Sequence, residues 1–189
     1  MAYDAPLDEI IPRLVGFLDA AAVPYMLTGS LASSLHGTPR STQDIDFVIA
    51  PDEAGLERLL SSFPDDRYYV SREAARGAFR QSSLFNVIDL ASGWKIDFIF
   101  RKPREFSRVE FGRRIAAEVQ GVVVSVAAPE DVILAKLEWA KRSGSERQIE
   151  DAAGVLRAQG ASLDMDYLER WVAVLELDEV WAAARARMK

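Results

Sequence analysis

Asp44 and Asp46 stand one residue apart in DIDFVIA, and Asp97 stands in a second short apolar run, KIDFIF. Strict alternation over 44–50 predicts a β-strand with Ile45, Phe47 and Ile49 on one face and Asp44, Asp46 and Val48 on the other. In the second run Ile96, Phe98 and Phe100 share a face, and Asp97 points the other way with Lys95 and Ile99. Three carboxylates gathered on one sheet face would oppose one another's ionisation unless a cation joined them. Oxygen ligands alone suit Mg²⁺ or Mn²⁺, and a pair of such ions about 3.5 to 4 Å apart supports phosphoryl or nucleotidyl transfer. Asp44, Asp46 and Asp97 are therefore the candidate metal ligands and catalytic carboxylates. Upstream, Gly29-Ser30 follows the apolar run YMLT and opens a short helical stretch. Such a turn offers backbone N–H groups and a hydroxyl to a phosphate at the positive end of the helix dipole. Arg40 and Thr42 can add a charge and a hydroxyl to the same phosphates.

The elements that must position these groups follow from periodicity. Leu7, Ile10, Ile11, Leu14, Val15 and Leu18 recur at helical spacing, which predicts an amphipathic helix over 6–22, ending before Pro24. A strand over 25–28, a helix over 31–36 closed by Gly37, the acidic strand, and a helix over 53–63 capped by Asp52 come next. Strands are expected over 68–70, 84–90 and 94–100, the last two joined by Ala91-Ser92-Gly93. Residues 102–116 give no clear pattern, and 117–127 reads as a hairpin about Gly121. From Pro129 the texture becomes helical: one helix to Gly144, a second to Gln159 with Ser145 and Gln148 spaced as a capping box, and two more from Asp164 and Asp178. The layout is α+β over 1–128, followed by a helical C-terminal part over 129–189.

Composition narrows the options. The chain has 189 residues, 49% hydrophobic, and Lys+Arg 23 against Asp+Glu 29 gives a net charge of -6, so the molecule as a whole does not match a polyanion. With no cysteine, disulfides, thiolate zinc sites and cysteine nucleophiles are excluded. No basic leader and no membrane-length apolar run is visible, which reads as a cytoplasmic protein. His36, the single histidine, precedes Gly37 and is expected to bond helix-end carbonyls; Trp139, Trp171 and Trp181 read as packing residues.

The run TGSLASSLHGTPRSTQDIDFV, with 13 residues between Ser30 and Asp44, and the third aspartate in KIDF resemble the DNA polymerase β-type nucleotidyltransferase superfamily. Together with ILAKLEWAKRSGSERQIEDAAGVL they are similar to small bacterial proteins related to the AbiEii toxin group. The resemblance implies a polymerase β-like fold, a mixed sheet with flanking helices, with Mg²⁺ (or Mn²⁺) held by Asp44 and Asp46. Asp97 would then help to orient or deprotonate the attacking hydroxyl. It also implies that Lys136 and Asp151, at places matching a lysine and an acid of the toxin-related members, face the nucleotide. The substrate would be an NTP, and the acceptor an RNA end, a protein or a small molecule. A toxin–antitoxin role would add a cognate partner protein. The alternative is a non-catalytic module that binds nucleotide or a partner on the same fold.

Overall fold

The computed structural model describes residues 7–188. Residues 1–6 and Lys189 lie outside it, and with them the residue-6 start of the expected first helix. In chain order the elements are α1 (Leu7–Ala20), β1 (Tyr25–Thr28), α2 (Gly29–His36), β2 (Asp44–Ile49), α3 (Glu53–Ser61), β3 (Tyr68–Val70), α4 (Arg72–Gln81), β4 (Leu84–Asp89) and β5 (Lys95–Phe100). They continue with α5 (Glu105–Gly112), β6 (Ile115–Val119), β7 (Val122–Val126), α6 (Pro129–Ser143), α7 (Glu146–Gln159), a 3-10 turn, α8 (Met165–Val174) and α9 (Asp178–Ala186). The chain forms two compact units, one from the chain up to Leu27 and Gln43–Val126, the other from Thr28–Thr42 and the chain from Ala127 on. In the second unit α2 and the loop after it lie with α6 and α7, against which α2 packs.

In the first unit the described strands form one mixed sheet in the order β3-β4-β5-β2-β1-β7-β6. β2 pairs with β5 and β1 with β7 in parallel, whereas β3–β4, β4–β5 and β6–β7 are antiparallel. One sheet face is sealed by apolar side chains. Ile45, Phe47, Ile49, Ile96 and Phe98 are all completely buried. The rings of Phe47 and Phe98 stack at 5.9 Å, Phe85 stacks on Phe98 at 5.3 Å, and Phe63 closes over Phe98 and meets Phe17 of α1 edge-on. Burying such rings is the largest stabilising contribution available to this layer. Among the described residues, Asp89 is the one charged side chain completely buried in this unit's core. Its carboxylate accepts a 2.8 Å hydrogen bond from Arg13, whose Nε donates to the Tyr68 hydroxyl, so it is paired as burial demands.

Two helices are not among the expected elements. α4 (REAARGAFRQ) carries a short apolar stripe of Ala74, Ala75, Ala78 and Phe79, of which Ala75 and Ala78 are buried; Ser71 caps it by accepting from Ala74 N–H, and Ser82 ends it at φ 48°. α5 occupies the stretch without clear pattern and anchors through Phe106 and Phe111.

In the second unit, Asp164 caps α8 through Tyr167 N–H, and Gly144 ends α6 at φ 67°. Ser145 sits at the N-cap of α7, but its side chain makes no capping bond, so the expected capping box is not formed. His36 does not bond its own helix end: its Nε2 donates to the Ala127 carbonyl at 2.8 Å, and the neutral ring is what fits this buried place. Burial pulls the His36 pKa below its ordinary value, outweighing the Ala127 bond and Glu130, which act the other way. A depressed pKa means the unfolded chain binds the proton more readily. His36 therefore contributes stability above about pH 6.5 that is lost as pH falls through its lower folded value. Urea titrations from pH 7.5 down should show this decline, and His36→Gln should flatten it.

Gly37 is more than a helix stop. Its φ of -137° is open to any residue, but a β-carbon there would lie 2.7 Å from Val155 N and 2.9 Å from Gly154 C, both backbone atoms of α7. Backbone cannot yield as a side chain can. Gly37→Ala is expected to destabilise the fold by about 2 kcal/mol or more, measured by urea unfolding, whereas the control Gly77→Ala, inside α4 and meeting nothing, should stabilise slightly.

Candidate active site

The open face of the sheet carries the carboxylates, and the register shows how they align. Asn86, Asp97 and Asp46 form one row across β4, β5 and β2; Ile88, Lys95 and Asp44 form the next. Neighbouring strands lie about 4.8 Å apart, so Asp46 and Asp97 are direct neighbours and Asp44 is one step along the strand face. Asp97 is held on both oxygens: the Asn86 amide donates to Oδ1, and the Lys95 ammonium donates to Oδ2 at 2.8 Å. Lys95 also stands 3.9 Å from Asp44. Its pKa is raised, first by the hydrogen bond to Asp97 and then by the charges of Asp97, Asp44 and Asp46, against the opposing effect of burial.

The sequence pattern does not mark Lys95 or Asn86 as part of a site by residue type. A positional signal for Lys95 is present, since it lies two residues before Asp97 and so shares its face; Asn86 needs the β4–β5 register. Among the described residues no group of three or more His, Asp or Glu forms a metal-holding cluster as the side chains stand. The donor set nonetheless suits a hard divalent cation: carboxylate oxygens in adjacent rows, with an ammonium already supplying positive charge to two of the three aspartates.

The second unit gathers another group. Arg40 Nε donates to Asp151 Oδ1 at 3.0 Å, Lys136 Nζ donates to Asp151 Oδ2 at 2.8 Å, and Arg40 Nη2 donates to both Asp151 Oδ2 and the Ser30 hydroxyl. Lys136 and Asp151 are nearly buried, their side chains 6% and 8% exposed. Burial acts to raise the Asp151 pKa, but the hydrogen bonds and charges of Arg40 and Lys136 outweigh it and hold the carboxyl below the usual range. Asp151 lies in the second turn of α7, away from the helix start. Gly29, at φ 65°, makes the strand-to-helix turn in a conformation that side chains resist, which places Ser30 at the first turn of α2. Thr42 stands half-buried at the end of the loop that carries Arg40. Of the six residues expected to bind nucleotide, the structure thus joins Ser30, Arg40, Lys136 and Asp151 in one hydrogen-bonded cluster. Gly29 is adjacent to it in the chain.

No family model and no curated protein matches this sequence. Solved structures do match its fold. An antigenic nucleotidyltransferase-like protein from Paracoccidioides brasiliensis superposes with a TM-score of 0.58 at 18% identity, over 95% of this chain and 92% of that one. ANT(2″)-Ia, solved in complex with adenylyl-2″-tobramycin, gives a TM-score of 0.54 at 15% identity, over 96% and 98% of the two chains. The chain therefore has a nucleotidyltransferase fold, α+β with a mixed sheet and flanking helices.

Proposed function

We propose that this protein is a metal-dependent nucleotidyltransferase that moves a nucleoside monophosphate from an NTP to an acceptor hydroxyl. The observation that carries this reading is the register of β2 on β5, which sets Asp46 beside Asp97 with Asp44 on the same open face. Asp44, Asp46 and Asp97 would hold Mg²⁺ or Mn²⁺, which when bound neutralises charge on the phosphates and acidifies the attacking hydroxyl. In the transfer, the hydroxyl oxygen bonds to the α-phosphorus, the bond to pyrophosphate breaks, and Asp97 accepts the proton. Asn86 fixes the orientation of Asp97 for that task. The second cluster has the chemistry of a phosphate receptor: a hydroxyl on Ser30 beside a guanidinium and an ammonium, both aligned by Asp151. Asp151 thereby acts as a positioning residue, holding Arg40 and Lys136.

The acceptor is a hydroxyl of an RNA end, a protein or a small molecule. The sequence likeness to AbiEii-related proteins supports the first two and a toxin–antitoxin setting with a cognate partner. The adenylyl-2″-tobramycin bound to ANT(2″)-Ia makes a small molecule the third choice. A cytoplasmic location, read from the sequence, belongs to the same proposal. No helix among the described residues is long and apolar enough to cross a membrane. A nucleotide-binding module without turnover is favoured by one observation, the engagement of both Asp97 oxygens by Asn86 and Lys95.

Incubation with each α-labelled NTP, Mg²⁺ and cell extract separates the readings. Transfer of label to RNA, protein or a small molecule, lost in Asp44→Asn, supports the enzyme. Nucleotide binding by calorimetry with no labelled product in any fraction leaves the binding module. Induced expression of wild type beside the Asp44→Asn, Asp46→Asn double variant tests the toxin setting, and equal growth of the two removes it.

A further inference from the structure

We infer that Lys95 is an exchangeable counter-ion of the carboxylate rows, which occupies Asp97 and neighbours Asp44 in the metal-free protein and is displaced when a divalent cation binds. The inference rests on the reading of Asp44, Asp46 and Asp97 as metal ligands. Two features of the site place the ammonium there. The Asp97 side chain is only 14% exposed and lies in register beside Asp46, so two carboxylates stand side by side, that of Asp97 poorly hydrated, and Lys95 supplies positive charge to them. Its 2.8 Å bond to Asp97 and 3.9 Å approach to Asp44 put the ammonium over two of the three oxygen-bearing groups a metal would use.

The contact is also built to release. The Lys95 side chain is 44% exposed and that of Asp44 54%, so the pair lies at the surface, where a single ammonium on a four-carbon stem is held weakly. A doubly charged ion competes for the same oxygens, and the departing ammonium has solvent to enter. Lys95 already lines a cavity of about 280 Å³ together with Tyr69, Ser71 and Asn86. The consequence is a site that folds without metal and binds it less tightly than the three carboxylates would without the lysine.

Mn²⁺ titration followed by electron paramagnetic resonance of the free ion tests this, with thermal unfolding measured on the same samples. Lys95→Met is expected to bind Mn²⁺ about tenfold more tightly than wild type. It should unfold at a lower temperature without metal, and the gap should close at saturating Mn²⁺. Lys95→Arg, which keeps the charge, should retain wild-type affinity. Equal Mn²⁺ affinity in wild type and Lys95→Met, with binding abolished in Asp44→Asn, overturns the counter-ion and leaves the metal site standing. Weaker nucleotide binding by Lys95→Met at unchanged Mn²⁺ affinity makes Lys95 a phosphate ligand instead and likewise overturns it. Absence of Mn²⁺ binding in every variant removes the metal site and this inference together.

Discussion

Asp46→Asn is expected to lower nucleotidyl transfer by at least about 10²- to 10³-fold while leaving the fold intact. The size follows from what the substitution removes. Asp46 lies in the same row as Asp97 and two residues along β2 from Asp44, so its carboxylate is the one common neighbour of the other two. Replacing one oxygen by an amide keeps the shape of the side chain but deletes the charge that a divalent cation needs from this position. The substitution should cost little stability, because the inward side chains of the same strand, Ile45, Phe47 and Ile49, carry its packing. Removing one of three clustered negative charges also relieves repulsion. Single-turnover label transfer at saturating Mg²⁺, paired with urea unfolding, checks both halves. A rate within tenfold of wild type would mean that Asp46 is not a ligand of the reacting complex. Loss of rate together with loss of stability would make the effect structural. Asn86→Ala gives an internal comparison, because it loosens the orientation of Asp97 without removing any carboxylate, and its rate should fall less than that of Asp46→Asn.

How much of this is legible in the sequence depends on the distance over which each feature is encoded. The side of the sheet on which Asp44, Asp46 and Asp97 lie follows from period-two alternation within six residues, and DIDFVI and KIDFIF are enough to show it. Which aspartate faces which is set by how β2 and β5 pair, and that pairing is made by contacts such as Phe47 on Phe98, far apart in the chain. α4 is signalled by a short stripe that is mostly alanine, Ala74, Ala75, Ala78 and Phe79, and by Ser71, a readable cap. Gly37 reads locally as a helix stop, whereas the structural demand on it comes from α7, a helix more than a hundred residues away. Ser145 and Gln148 have the spacing of a capping box without forming one, since the motif is a preference and no cap bond is made. Lys136 and Asp151 stand out only through a family likeness. Nothing in the local pattern around either indicates that Arg40 completes their cluster.

That cluster leads to the largest expected effect on stability. Asp151→Ala is expected to destabilise the protein by about 3 kcal/mol, because it takes the carboxylate away from the nearly buried ammonium of Lys136 and leaves Arg40 with only Ser30 and the Ser41 carbonyl among these contacts. Lys136→Met should cost much less, since Asp151 keeps its bidentate Arg40 partner and the methionine fills the lysine's volume. The double variant Asp151→Ala, Lys136→Met should then be more stable than Asp151→Ala alone, a reversal of sign that follows from lost charge balance at Lys136. The pH dependence has a fixed direction as well. The Asp151 carboxyl is held below its ordinary value, so its stabilisation is present above the unfolded pKa, about 3.9, and is lost as pH falls through the lower folded value. Wild type should therefore lose stability over that acid range more steeply than Asp151→Ala. Equal urea midpoints for wild type and Asp151→Ala at pH 7 would show that the cluster does not stabilise the fold. In the functional readout, a positioning Asp151 predicts that Asp151→Asn weakens nucleotide binding less than Lys136→Met or Arg40→Met does. If Asp151 touched the nucleotide itself, that order would be inverted.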